Sequence, residues 1–273
     1  MTIAELRGKL SPDTADERSE DLLTSDVFGT MRYLNGGGGF LEWLASAVTP
    51  LGAQARYSRL GEMMSPEDVI GIHIAFWPAL PNRREPDVVV LVSRRHSDPL
   101  LLCIEVKYLS GMSDFEVNEA DERQLTGNQI ADQVQGLTHL TPHITEQWFP
   151  QASRTTPIHI AHILVTTESR LPKAVYDAAA QHFGGTWPCA VFWVSWSSLS
   201  QFLWRAPRSS DKGRVAMIED LTELLERKGL APFHGIRPLD FEDRPLATRF
   251  WEERWWRVLL ARPSQSLTFW TDV

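Results

Sequence analysis

The sequence predicts an α/β fold, with a central mixed β-sheet flanked by helices and a helical, tryptophan-rich C-terminal extension. Three observations carry this expectation. Short apolar runs of strand length alternate with segments of helical periodicity. Two such runs, Asp87 to Val92 and Leu101 to Lys107, are separated by the turn-like Ser93-Arg94-Arg95-His96-Ser97-Asp98-Pro99. Beyond Trp196 the strand-like runs stop and tryptophans accumulate. Helices layered on a sheet let both kinds of element bury their apolar faces.

Taken in order, Asp16 to Leu34 sets Leu23, Val27, Met31 and Leu34 at helical spacing. The glycine run Gly36 to Gly39 follows as a flexible turn; no strand precedes it, so it does not read as a phosphate cradle. Gly39 to Val48 is a second amphipathic run. Val69 to Trp77 reads as the first strand, with Asp87 to Val92 and Leu101 to Lys107 as the second and third. Gln124 to Leu137 is a helix whose stripe is Ile130, Val134 and Leu137. His159 to Thr167 is the fourth strand, a helix lies around Lys173 to His182, and Cys189 to Trp196 is the fifth strand. Ile218 to Arg227 is a further amphipathic helix. In Phe250 to Leu260, the residues Trp251, Trp255, Val258 and Leu259 share a helical face. Residues 1–205 are expected to form the sheet domain, and 206–273 a helical extension packed on it. The aromatic face of that extension, with Phe269 and Trp270, suits the core, or an interface with a partner protein or a second copy, or base stacking.

The chain has 273 residues, two cysteines and a formal net charge of −8. Such a charge argues against a simple nucleic-acid binder, whose surface is basic. Binding needs only a local patch, however. Arg83 and Arg84 lie just before Asp87, and Arg94 and Arg95 lie in the adjoining turn. Arg205, Arg208, Lys212 and Arg214 form a second cluster in a Pro/Ser-rich stretch. Each cluster suits phosphate contact and equally suits a solvated loop. No apolar run approaches the ~20 residues of a membrane span. The N-terminus lacks the regions of a secretory signal, so a cytoplasmic location is expected. Cys103 and Cys189 sit in apolar runs and read as buried thiols rather than a disulfide.

The third strand carries the chemistry. Side chains alternate along a strand, so Glu105 and Lys107 point one way while Leu102, Ile104 and Val106 point the other way into a core. If the second and third strands pair as a hairpin, Asp87 joins Glu105 and Lys107 at one sheet end. Two carboxylates and a lysine held together suit a divalent metal and an activated water; the plain alternative is a strand pair with a salt-bridged surface end. Glu20 lies one turn before Leu23 on the apolar stripe, where an acid can reach inward, and Glu17 is the alternative one turn earlier. Acids are favoured in the first turn of any helix by its macrodipole. Gln129 and Gln133 lie one turn apart beside the Ile130 stripe. Other chemistries lack their motifs. His139 and His143 flank Pro142 with no zincin glutamate, and His159 and His162 fall on opposite faces of a strand. There is no CxxC pair, P-loop, dinucleotide fingerprint or serine or cysteine nucleophile motif.

Pro86-Asp87 followed by Glu105-Val106-Lys107 resembles the PD-(D/E)XK nuclease superfamily, which includes many restriction enzymes and RecB-like nucleases. The motif is short. Its context strengthens it, because the acid opens one strand, the triplet closes the next, and the order helix, three strands, helix, strand is that of the superfamily. The resemblance implies a restriction-endonuclease-like core over residues 1–205 and a Mg²⁺-dependent nuclease, with Mn²⁺ able to substitute. Nucleic acid is the implied substrate, DNA foremost, in restriction, phage defence or repair. Asp87 and Glu105 would hold the metal, and Glu20 would complete its shell or hold its water. Lys107 would orient or help deprotonate the water and steady the developing charge. Gln129 would position Lys107 or a phosphate. The tyrosine that RecB-like members carry four residues after the glutamine is replaced here by Gln133, so the likeness is to the superfamily rather than that branch. The competing function is a catalytically inactive nuclease-fold subunit serving as a protein-interaction or nucleic-acid-binding module. The intact acid-acid-lysine set weighs against it.

Overall fold

The computed structural model describes residues 20–52, 55–108, 126–152, 159–206 and 210–231, all within the compact unit Met1–Pro232. Glu17, Arg208 and the expected tryptophan-rich helix near the C-terminus, with Phe269 and Trp270, lie outside the described residues.

Five strands form one mixed sheet in the order β1 (Val69–Phe76), β2 (Val88–Arg94), β3 (Leu100–Val106), β4 (His159–Thr166) and β5 (Ala190–Ser195). β1 pairs antiparallel with β2, and β2 with β3. β4 pairs parallel with β3, and β5 with β4, so the sheet changes sense at β3. The expected hairpin therefore exists, with Val88 opposite Ile104 and Val92 opposite Leu100.

Both faces of the sheet are covered. Val88, Val90, Val92, Leu102, Ile104, Val106, Ile163, Val165 and Phe192 pack into one core with the helices α1 (Glu20–Tyr33), α2 (Phe40–Ala45), α6 (Trp196–Arg205) and α7 (Lys212–Arg227). The opposite face, with Val89, Leu91, Leu101, Cys103, Leu164 and Val191, lies under α3 (Gln129–Thr138), α4 (Pro142–Trp148) and α5 (Lys173–Gln181). This accounts for a departure from expectation. Every residue of β3 is buried, as befits a strand at a parallel junction with helices on both sides. The face bearing Glu105 is thus an interior face rather than a wet one.

Two further elements differ from expectation. α7 starts at Lys212, six residues before the apolar periodicity begins, because Asp211 caps it by accepting from Gly213 N–H and Arg214 N–H. Lys212 and Arg214 are thereby helical, and the Arg214 guanidinium donates to the Leu34 carbonyl at 3.1 Å. The glycine run is closely packed rather than loose: Gly39 has φ +92°, and a Cβ there would lie 2.4 Å from the Phe202 carbonyl oxygen. Only glycine fits that approach of α2 to α6. No described helix is long and apolar enough to cross a membrane.

Candidate active site

The site lies at the end of β2 and β3 remote from their connecting turn. Asp87 immediately precedes β2, and its backbone carbonyl accepts from Trp77 N–H at 3.0 Å. Its side-chain Oδ2 accepts from Val106 N–H at 2.7 Å, which locks the carboxylate across the end of β3. Glu105 is 1% exposed and meets three donors. Its Oε1 takes the Lys107 ammonium at 2.8 Å and the Gln129 amide. Its Oε2 takes the Gln133 amide at 2.6 Å. Glu20, at the start of α1, comes from the opposite face of the sheet. Its Oε1 lies 3.2 Å from Lys107 Nζ, and its Oε2 accepts from Tyr108 N–H at 2.8 Å.

Four of the expected residues, Glu20, Asp87, Glu105 and Lys107, thus converge around one another, and Gln129 joins them. Gln129 donates to Glu105, not to Lys107, because α3 lies over the Glu105 face of the sheet. α3 begins there because Asn128 caps it, its side chain accepting from Ala131 N–H at 3.0 Å.

The charges are unbalanced. Three carboxylates face one ammonium. Burial, then repulsion from Glu105, pushes the Asp87 carboxyl well above the ordinary carboxylate range; Val106 N–H and Lys107 offset this only in part. Burial also raises Glu105, against the pull of Lys107 and Gln133. Burial alone would lower the Lys107 ammonium, but Glu105 and Glu20 outweigh it and hold its pKa above the ordinary lysine value.

A consequence can be measured without substrate. The folded protein holds the Asp87 proton more tightly than the unfolded chain, whose carboxyl titrates near 4. Stability therefore falls as pH rises from about 4 through the folded pKa, and the cost is complete above it. Asp87→Asn, which retains an oxygen for Val106 N–H, is expected to raise the melting temperature in EDTA at pH 8. The gain should vanish near pH 4. Thermal melts at the two pH values check this, and equal melting temperatures at pH 8 would refute it.

The arginines divide. The Arg84 guanidinium donates to buried Asp132 Oδ2 from Nε at 3.1 Å and Nη2 at 2.6 Å. Asp132 Oδ1 accepts from Thr126 N–H and Oγ1–H, and Asn82 Nδ2 donates to the Asp132 carbonyl at 2.6 Å. Arg84 is therefore an internal strut joining the loop that carries Asp87 to the helix that carries Gln129. Arg83, in the left-handed region at φ 65°, is exposed. Arg94 ends β2 and Arg95 follows it, about 23–26 Å from Asp87 at a strand rise of about 3.3 Å per residue. Arg94 donates inward to the Asp98 and Met63 carbonyls, and Arg95 is exposed. The hairpin geometry thus separates the turn arginines from the carboxylates rather than gathering them.

No protein-family description, curated protein or solved structure matches this chain. The site must be read from its own geometry. Sequence reasoning missed Asp132 and His162, and it gave Gln133 no role. His162, on β4, lies 2.8 Å through Nε2 from Gln133 Oε1, and burial depresses its pKa to about 3. His162 interrupts the apolar strand face of Ile160 and Leu164, which was the one available signal.

The donor set suits a divalent cation in its chemistry. Carboxylate oxygens in excess of positive charge suit Mg²⁺ or Mn²⁺, and the mutual repulsion of Asp87 and Glu105 is what a cation would relieve. Among the described residues, no three acids, histidines or cysteines stand close enough to form a ready-made cage. Both Glu105 oxygens already hold donors.

Proposed function

We propose that the protein is a Mg²⁺-dependent nuclease with a restriction-endonuclease-like core, hydrolysing phosphodiester bonds of nucleic acid, with DNA the expected substrate. One observation carries the reading: two buried carboxylates and a lysine meet at one sheet end, on the motif Pro86-Asp87 and Glu105-Val106-Lys107, with Glu20 reaching them from α1. Asp87 and Glu105 would hold the cation, with Glu20 at the edge of its shell. Bound there, Mg²⁺ supplies a water of lowered pKa and a counter-charge for the phosphate.

This chain's own residues would divide the remaining work. Lys107 stays an ammonium while Glu20 and Glu105 flank it, so it donates a hydrogen bond rather than accepting a proton from water. Its role is to orient the water and to offset charge gathering on the phosphorane. Gln129 and Gln133 donate to the Glu105 carboxylate and keep it aimed. Asp87, tied to Val106 N–H, cannot swing away from the strand end.

A second reading has its own observation. Because Lys107, Gln129 and Gln133 occupy the Glu105 oxygens, an inactive nuclease-fold subunit would look the same. Incubation of purified protein with circular plasmid and single-stranded DNA, in Mg²⁺ or Mn²⁺ and with EDTA controls, separates the two. Metal-dependent nicking or linearisation is expected; intact plasmid and intact single strands in every metal would favour the subunit.

Lys107→Ala distinguishes chemistry from affinity. Single-turnover cleavage should fall by about a hundredfold or more, the scale of a lost charge-stabilising donor, while binding in Ca²⁺ changes little at either of two salt concentrations. A lysine acting only on phosphate would instead weaken binding and lower its salt slope by about one unit.

A further inference from the structure

We propose that His162 is a positioning residue that fixes the Glu105 carboxylate through Gln133; this rests on the reading that Glu105 holds a divalent cation. The Gln133 amide has one donating end and one accepting end. A carboxylate only accepts, so Nε2 must face Glu105 Oε2, at 2.6 Å. Gln133 Oε1 is thereby turned toward β4, where His162 Nε2 lies 2.8 Å away. That contact is a hydrogen bond only if His162 carries its proton on Nε2.

Register explains why this histidine reaches. His162 pairs with Cys103 and Leu164 pairs with Glu105. His162 is therefore on the strand beside Glu105, on the same face, one diagonal step away. Glu105, Gln133 and His162 are 1%, 1% and 0% exposed, so bulk water cannot replace a missing partner. Without the His162 donor, Gln133 Oε1 is left buried and unsatisfied. A flipped amide would only turn that oxygen onto the carboxylate, acceptor against acceptor. Either way Glu105 loses a directed donor. The other ring nitrogen, Nδ1, has no hydrogen-bond partner. Among the described residues, the imidazole thus spends its one proton on Gln133.

The test uses full-length protein and Mn²⁺. Calorimetric titration is expected to show His162→Leu and Gln133→Leu each weakening Mn²⁺ binding about ten- to a hundredfold, the range for partners that orient a metal ligand. The double variant should be no worse than the singles, because the two act in series. His162→Gln, whose terminal amide donates from near the Nε2 position, should recover most of the affinity. As a readout independent of folding in the variants, ¹⁵N-labelled wild-type protein should show His162 as the Nε2–H tautomer. An Nδ1–H tautomer, or His162→Leu binding Mn²⁺ as tightly as wild type, overturns the proposal. Wild-type protein that takes no Mn²⁺ defeats the nuclease reading and this proposal with it. Wild-type binding beside an unaffected His162→Leu defeats this proposal alone.

Discussion

Asp87→Asn and Glu105→Gln should each reduce metal-dependent cleavage by at least about a thousandfold, equivalent to about 4 kcal/mol of transition-state stabilisation. Each swap keeps the shape of its side chain. The amide introduced in place of Asp87 retains an oxygen for Val106 N–H, whose bond to Asp87 is 2.7 Å. The amide introduced in place of Glu105 retains an oxygen for one of the donors now on that carboxylate. What each removes is the charge that a cation needs. Far-ultraviolet circular dichroism should be unchanged while initial rates on plasmid collapse. A variant that folds and cuts at the wild-type rate would remove its residue from the metal site.

Arg84→Ala should destabilise the fold strongly. The change leaves the Asp132 carboxylate fully buried, with Thr126 alone on its other oxygen. Breaking a buried pair from one side typically costs about 3–5 kcal/mol, because the remaining charge has nowhere to go. For a domain of this size, about 3 kcal/mol lowers the melting temperature by roughly 6–12 °C. Arg83→Ala, on the exposed neighbour, should stay within about 0.5 kcal/mol. Equal effects at the two positions would mean that the Arg84–Asp132 pair is not a strut. Phosphate contact by Arg84 would instead show as lost nucleic-acid affinity at unchanged stability.

The five strands were legible in the sequence because each is a dense apolar run bounded by polar turns, and β3 ends on a triplet whose alternation fixes where Glu105 and Lys107 point. Glu20 was legible as an inward acid because it continues the Leu23 stripe by one turn. Other features depend on which elements lie opposite each other in space, and periodicity does not carry that. Nothing near Arg84 in sequence announces Asp132, 48 residues later. His162 reads as a strand residue on one face, and its value emerges only when β4 pairs in register beside β3. The distance of the turn arginines from the carboxylates has a simpler origin: a hairpin joins neighbours in sequence at its turn while sending its two open ends to the far side of the sheet.

The span of chain between the residues of the site has a kinetic meaning. Glu20 meets Lys107 and Tyr108 across 87 and 88 positions, and Gln133 meets His162 across 29. Contacts so remote in sequence close late, after the entropy of the intervening loops has been lost. A chain still emerging from the ribosome presents Glu20 and the Asp87–Lys107 hairpin before the Gln129, Gln133 and His162 that follow them in sequence, and one in which α1 has undocked lacks the Glu20 that bonds Tyr108 N–H. Completion of the carboxylate cluster is therefore coupled to completion of the fold, and the isolated hairpin lacks the full set of groups.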